Sequence, residues 1–170
     1  MKYFSGFSLQ GEKELFSEYL IENETAVAGF SYGAQQAFDY AYTSEERIDR
    51  LIRLSPAFFQ TQKASFIRTQ LRYFEAGHEA YIKQFLANVS YPSSIDLSSY
   101  LKVGTKEELE ALLTYIWDEK KIKKILDRGT TIEVFLGSVD KIIDSNEVFT
   151  FFKTSCTTYL SKNCGHILKD

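Results

Sequence analysis

The run Thr25-Ala26-Val27-Ala28-Gly29-Phe30-Ser31-Tyr32-Gly33 constrains this chain more than any other part of it. A short, partly β-branched apolar stretch leads directly into Gly-Phe-Ser-Tyr-Gly, and a helix-like stretch follows from Gly33 to Tyr42. That is strand, sharp turn and helix, with a serine at the apex. In this context G-x-S-x-G reads as a nucleophile elbow. The serine takes a strained backbone position that lifts its hydroxyl clear of the sheet, and the glycines keep side chains out of the gap where strand and helix pack. At about 7% for each fixed residue, the pattern arises by chance roughly 0.06 times in a chain of this length. Its coincidence with a strand-to-helix junction therefore carries information. The alternative is a glycine-rich turn with an idle serine.

The rest of the chain supplies a frame for such a turn. Tyr3-Phe4 reads as a short strand running into the loop SGFSLQG, and Leu15, Phe16, Tyr19 and Leu20 give helical spacing over Lys13 to Ile21. IDRLIRLSPA carries Ile48, Leu51, Ile52 and Leu54 and stops at Pro56, a third buried strand. Strands separated by helices predict parallel pairing through right-handed crossovers. From Ala57 the periodicity is helical: Ile67, Leu71 and Phe74 share one face, and Ile82, Phe85, Leu86 and Val89 form a second stripe. YPSSIDLSSY interrupts the helices around Pro92. Thr105 followed by Glu108 reads as a capping box, opening a helix with Leu109, Leu112, Leu113 and Ile116 on its apolar face. Asp118 to Leu126 reads as a further helix ending at Gly129, Thr130 to Leu136 as a strand closed by Gly137, Asn146 to Lys153 as a helix and Thr157 to Leu160 as a strand. At about 150 residues per domain, 170 residues make one domain. The expectation is a single α/β domain over residues 1–170: a mostly parallel sheet of about five strands flanked by helices, with a helical cap insertion at about 57–104.

A serine hydroxyl needs a base to become a nucleophile, and only two histidines exist. His78 lies in a polar stretch of the insertion and reads as an exposed helix residue. His166 follows the last strand, in CGHIL, and the elbow's chain order of Ser, acid, His puts the base last. The acid belongs in the loop after the preceding strand, where FLGSVDKIID offers Asp140 and Asp144. Asp140 stands at the strand exit and is preferred; Asp144 reads as a residue of the next helix's N-terminal region, where a carboxylate suits the dipole. The oxyanion requires two backbone donors. The residue after the nucleophile, Tyr32, provides one amide, and Ser5-Gly6-Phe7 occupies the place of the other, with Phe7 as its donor. An ordinary turn explains Ser5-Gly6-Phe7 as well.

Other chemistries find little support. A net charge of -3 argues against a general nucleic-acid binder. Cys156 and Cys164 are too few for a disulfide framework and read as free thiols of a reducing, cytoplasmic compartment. Cys164 stands too close to His166 in sequence to reach it as a nucleophile, and Cys156, Cys164 and His166 lack a fourth ligand and zinc spacing. There is no P-loop or dinucleotide fingerprint, so no cofactor or metal is expected. The N-terminus has no signal-peptide apolar region and no stretch is long enough to span a membrane.

Strand, GFSYG, helix, RLIRLSPA, helical cap, GSVDKII and terminal GH together resemble the α/β-hydrolase superfamily, in that family's order. More narrowly, FSGFSLQ is similar to the H-G-W-G-L-N type of oxyanion segment in pimeloyl-[acyl-carrier protein] methyl ester esterases of biotin synthesis, and the short length resembles the BioV type of that group. The chain departs from the pattern at Ser5, where that segment has histidine, and the first strands of the standard fold are absent. The resemblance implies hydrolysis of the methyl ester capping a pimeloyl chain on acyl carrier protein, with Ser31, His166 and Asp140 as the triad. A general short-chain carboxylesterase, an acyl thioesterase or a catalytically silent hydrolase-like binding protein are the alternatives. Ala57 to Lys102 carries five basic and three acidic residues, +2, leaving -5 for the remainder of the -3 total. That asymmetry suits an acidic carrier, and Arg68 and Arg72, one helical turn apart, are the docking candidates, although a solvated basic face explains them equally. The aromatics Phe58, Phe59, Phe66, Phe74, Tyr81 and Phe85 read as packing or as the lining of an acyl channel.

Overall fold

Alternation along the strands sets the architecture. In the computed structural model, which describes residues 1–170, five strands form one sheet: β1 (Lys2–Phe4), β2 (Ala26–Phe30), β3 (Arg50–Leu54), β4 (Thr131–Gly137) and β5 (Thr157–Ser161). They lie in chain order and every pairing is parallel, with Val27 opposite Leu51 and Leu51 opposite Ile132. Successive side chains point to opposite faces. Val27, Leu51, Ile132, Val134 and Leu136 pack into one core cluster, whereas Ala28, Phe30, Ile52 and Leu54 pack into a second.

Six helices complete the frame. α1 (Tyr32–Thr43) follows β2, α6 (Ser145–Phe152) joins β4 to β5, and α2 (Ala64–Ala76), α3 (His78–Ser90), α4 (Lys106–Thr114) and α5 (Glu119–Asp127) all lie between β3 and β4. Phe38 of α1, Ile125 of α5 and Phe152 of α6 belong to the first cluster. The opposite cluster is closed by Phe16, Ile167 and Leu168. No helix is long and apolar enough to cross a membrane. The capping box at α4 is complete: Thr105 accepts from the Glu108 amide, and the Glu108 carboxylate accepts from the Thr105 amide.

Three local expectations are corrected. The helix over Lys13 to Ile21 is a single 3-10 turn, Glu12–Phe16, entered through Gly11 at φ 82°. Phe16 packs at a tilt against Phe30, ring centres 4.7 Å apart, and Tyr19, beyond the 3-10 segment, meets Phe135 at 5.1 Å. The helical run expected from Ala57 begins at Ala64, because Ala57, Phe58 and Phe59 are buried in an irregular segment after β3. Ile116 lies beyond the end of α4 and is 63% exposed; Trp117 takes the buried place, donating from its indole to the Ala57 carbonyl at 3.0 Å.

β3 holds an unusual core residue. Arg53 is fully buried, with Nη2 donating to Cys156 Sγ at 3.1 Å and its guanidinium 4.1 Å from the Phe152 ring centre and 5.3 Å from that of Trp117. Nε and Nη1 have no partner. Desolvation lowers its pKa, and the aromatic faces offset part of that cost, by up to about 2 kcal/mol.

Candidate active site

The site is built at the carboxyl ends of the strands. Ser31 sits at φ 53°, ψ -113°, outside the ordinary regions, between the end of β2 and the first residue of α1. Three hydrogen bonds hold that strained backbone: its N–H donates to Leu54 O at 2.9 Å, and its carbonyl accepts from Ala34 and Ala57, both at 3.1 Å. The glycines allow the close approach. A Cβ on Gly29 would stand 2.1 Å from the Gly33 carbonyl oxygen, and one on Gly33 would stand 2.1 Å from that of Phe4.

The three residues expected to act together are brought together. Ser31 Oγ lies 2.9 Å from His166 Nε2, and His166 Nδ1 lies 2.6 Å from Asp140 Oδ2. The side chains of His166 and Asp140 are both wholly buried. A carboxylate can only accept, so Nδ1 carries the imidazole proton and Nε2 is left to accept from the serine hydroxyl. The other oxygen of Asp140 accepts from the Ile142 amide at 2.7 Å and the Ile143 amide at 3.2 Å. Asp144, the rival acid, is elsewhere: it caps α6, its side chain accepting from the Asn146 and Glu147 amides.

Phe7 is buried after β1, and its N–H donates to nothing within the protein. Tyr32 opens α1, so its N–H has no intrahelical acceptor. The Phe7 ring packs against Phe74 and Phe85 of the cap helices.

Ser31 opens on a cavity of about 340 Å³. Its apolar walls come from Phe59, Phe66, Tyr81 and Phe85, and from Leu109, Leu112 and Leu113 of α4. The wall therefore extends past residue 104, where the cap was expected to end. Phe58 and Phe74 take no part in it: Phe58 packs on Phe151 and Phe152, and Phe74 on Phe7 and Tyr81. A larger cavity of about 620 Å³ lies along α3, by Ile82, Leu86 and Leu97, and contains none of the three residues, so the smaller one is the candidate. Arg68 and Arg72 are exposed on α2 and form no ion pair. His78 is exposed at the start of α3, its ring 4.4 Å from that of Phe74. The Cys164 thiol is pushed up by desolvation and by the Asp170 and Glu18 charges, the opposite of what a nucleophilic cysteine needs. No cluster of side chains able to hold a metal ion is present.

One supporting residue is invisible in the sequence. Ser55, at φ 41° just beyond β3, donates to the His166 carbonyl at 2.6 Å and is fully buried. Its partner lies 111 residues away, so no local pattern marks it.

No family model and no curated protein matches the chain. Solved structures do. MenH from S. aureus has a TM-score of 0.65 at 13% identity, over 98% of this chain and 87% of that one. BioG from Haemophilus influenzae has a TM-score of 0.61 at 11% identity, over 97% and 87%. Naproxen esterase (carboxylesterase NP) from Bacillus subtilis has a TM-score of 0.56 at 16% identity, over 84% of this chain and 53% of that one, so the chain spans about half the length of that esterase. With its all-parallel sheet and elbow, the chain has an α/β-hydrolase fold.

Proposed function

We propose that the chain is a serine carboxylic ester hydrolase that removes the methyl group from pimeloyl methyl ester carried on acyl carrier protein. The observation that carries the reading is the buried hydrogen-bonded line from Asp140 through His166 to Ser31, ending at an apolar cavity. Ser31 Oγ attacks the ester carbonyl while His166 Nε2 takes its proton. The amides of Phe7 and Tyr32 hold the oxyanion, where preorganised donors contribute most. Asp140 keeps the imidazole in the required tautomer and stabilises the imidazolium. His166 then gives its proton to the departing methoxide, methanol leaves, and a water activated by the same nitrogen hydrolyses the acyl-enzyme. The chemistry needs no metal or organic cofactor.

Three features support the substrate. The segment FSGFSLQ resembles the oxyanion loop of such esterases. The cavity falls within the range of about 300–1,000 Å³ of small-molecule sites and has apolar walls suited to an alkyl chain. Arg68 and Arg72 are free of carboxylates on α2, and the same helix lines the cavity through Phe66, Gln70 and Tyr73, so a carrier docked on it has a short path to Ser31.

The test measures methanol released from carrier-bound pimeloyl methyl ester and p-nitrophenol released from p-nitrophenyl butyrate. Wild-type protein should cleave both, and Ser31→Ala neither. Charge reversal at Arg68 and Arg72 should lower turnover of the carrier-bound ester at least tenfold and leave the free ester within twofold. Cleavage of free esters alone would favour a general short-chain carboxylesterase, and failure of a fluorophosphonate to label Ser31 in folded protein would sink the enzyme reading.

A further inference from the structure

Glu12 is a fully buried carboxylate placed against the loop after β1. It opens the 3-10 turn and folds back over the loop, its Oε1 accepting from the Gly6 N–H at 2.9 Å and from the Tyr3 hydroxyl at 3.2 Å. Burying such a group costs several kcal/mol unless its partners compensate. Only one oxygen has them, since Oε2 has no partner. Leu9, Phe16 and Phe30 are buried in the apolar cluster on this side of the sheet, which has no need of a charge, but an apolar side chain at position 12 would leave the buried Gly6 N–H without an acceptor. Apolar packing therefore gives no reason for a carboxylate here.

Its contacts supply one. Gly6 is held from both sides: its N–H by Glu12, and its carbonyl by the Leu9 N–H at 3.1 Å. The Gly6 carbonyl and the Phe7 N–H belong to a single planar peptide group and point in opposite directions. Fixing the direction of that carbonyl fixes the direction of the Phe7 N–H. Glycine gives the two dihedrals at position 6 unusual freedom, so with the anchor on its N–H lost only the Leu9 N–H would hold this peptide, from one side. Tyr3 is kept a neutral donor, because burial and the Glu12 charge both push its phenol up.

We infer that Glu12 is a positioning residue for ester hydrolysis, locking the peptide that presents the Phe7 N–H to the oxyanion. The inference rests on the hydrolase reading. It assigns Glu12 no contact with substrate; its effect passes through Gly6. An interaction made only in the transition state changes kcat and leaves KM alone, and losing one oxyanion donor outright costs about 10²–10³ in kcat. Misorienting the donor should cost somewhat less.

The experiment compares wild type, Glu12→Ala, Glu12→Leu and Glu12→Gln in p-nitrophenyl butyrate hydrolysis and in affinity for an alkylboronic acid, which forms a tetrahedral adduct on the nucleophile. Glu12→Leu keeps most of the volume without an acceptor, should the alanine variant fail to fold. Folding is checked by circular dichroism and thermal melting. The expected result is a kcat about 10- to 100-fold lower in Glu12→Ala and Glu12→Leu, KM within about twofold, and boronate affinity reduced in step with kcat. Glu12→Gln, whose amide oxygen still accepts from Gly6, should return kcat to within about threefold of wild type. A folded Glu12→Leu with kcat within twofold of wild type would overturn the inference, as would a loss confined to KM or a Gln variant as impaired as Leu. Wild-type protein that turns over no ester overturns the hydrolase reading and this inference together; wild-type turnover with unaffected variants overturns this inference alone.

Discussion

Asp140→Asn separates the charge of the third residue from its geometry. Oδ1 of Asp140 accepts from two amides, those of Ile142 and Ile143, while Oδ2 meets His166 Nδ1 at 2.6 Å. Two N–H donors demand an oxygen, so the carboxamide in the variant has one favourable orientation: oxygen on Ile142 and Ile143, NH₂ toward His166. Turning it over would leave two backbone donors facing an NH₂ group, at about 1–3 kcal/mol each. Nδ1 must then accept, which moves the ring proton to Nε2 and aims an N–H at Ser31 Oγ, 2.9 Å away. A protonated Nε2 cannot take the serine proton. Inversion of the tautomer in such a triad lowers kcat by about 10⁴, which is about 5.4 kcal/mol at 1.36 kcal/mol per decade. Steady-state hydrolysis of p-nitrophenyl butyrate measures it, with thermal melting to show that the fold persists. Asp144→Asn is the control, because asparagine caps a helix as well as aspartate and can still accept from the Asn146 and Glu147 amides, both now at 3.1 Å. Its kcat should stay within twofold. More than a tenth of wild-type kcat in Asp140→Asn, or an equal loss in Asp144→Asn, would refute the reasoning.

Two further predictions concern stability. Arg53 is a buried cation without a carboxylate, so Arg53→Met, which keeps most of the reach between Phe152 and Trp117, should be neutral or stabilising by up to about 2 kcal/mol in urea denaturation. Arg53→Ala should cost about 2–4 kcal/mol through the cavity it leaves; a methionine variant as unstable as the alanine one would show the charge to be needed. Desolvation pushes the Tyr81 phenol from 10.0 up to about 12. The unfolded chain therefore releases this proton first, and the stabilisation present below pH 10 is lost as pH rises through about 12. Tyr81→Phe should flatten the decline of melting temperature above pH 10, with the lost Tyr81 to Gln70 hydrogen bond giving an offset independent of pH; an unchanged slope would contradict it.

What was legible in the sequence was what local chemistry determines. GFSYG demands its turn because two glycines and a serine are needed within five residues, and the Thr105 and Glu108 cap is complete within four. β2, β3 and β4 announce themselves as apolar runs because a parallel sheet is covered on both faces. Long-range partners leave no such trace. Asp140 and Asp144 both precede amides from which a carboxylate can accept; the strand exit favours Asp140 in the sequence, and contact with His166, 26 residues beyond it, separates the two in the structure. Glu12 stands in GEKEL among three other polar or glycine residues, and nothing local marks its side chain as wholly buried. Arg53 reads as a strand residue like Arg50, but Arg50 reaches Glu133 at 2.9 Å whereas Arg53 points into an aromatic core.

The strand order explains why Ser55 is needed. Ser31 stands at the end of β2 and His166 follows β5, three strand spacings away, or roughly 14–15 Å at about 4.8 Å per spacing. Five Cα–Cα steps, with four residues between, lead from Ser161 to His166. Fully extended those steps reach at most about 16–18 Å, enough to carry the backbone over the end of β4 to that of β3, with the side chain left to span the rest. The contacts mark that path. The Val139 N–H donates to the Cys164 carbonyl at 3.0 Å, and a Cβ on Gly137, at the end of β4, would stand 2.2 Å from the Gly165 carbonyl oxygen. Beyond the end of β3, Ser55 grips the His166 carbonyl, and the imidazole bridges the remaining gap to Ser31. On the other side of the crossing, a Cβ on Gly165 would stand 1.6 Å from the Tyr91 carbonyl oxygen, so the segment after α3 closes over it. The position of the imidazole is thus set by contacts at two intervening strands, and if His166 is the base of the proposed reaction, substitutions at Gly137, Ser55 or Gly165 should lower turnover without touching a reacting atom.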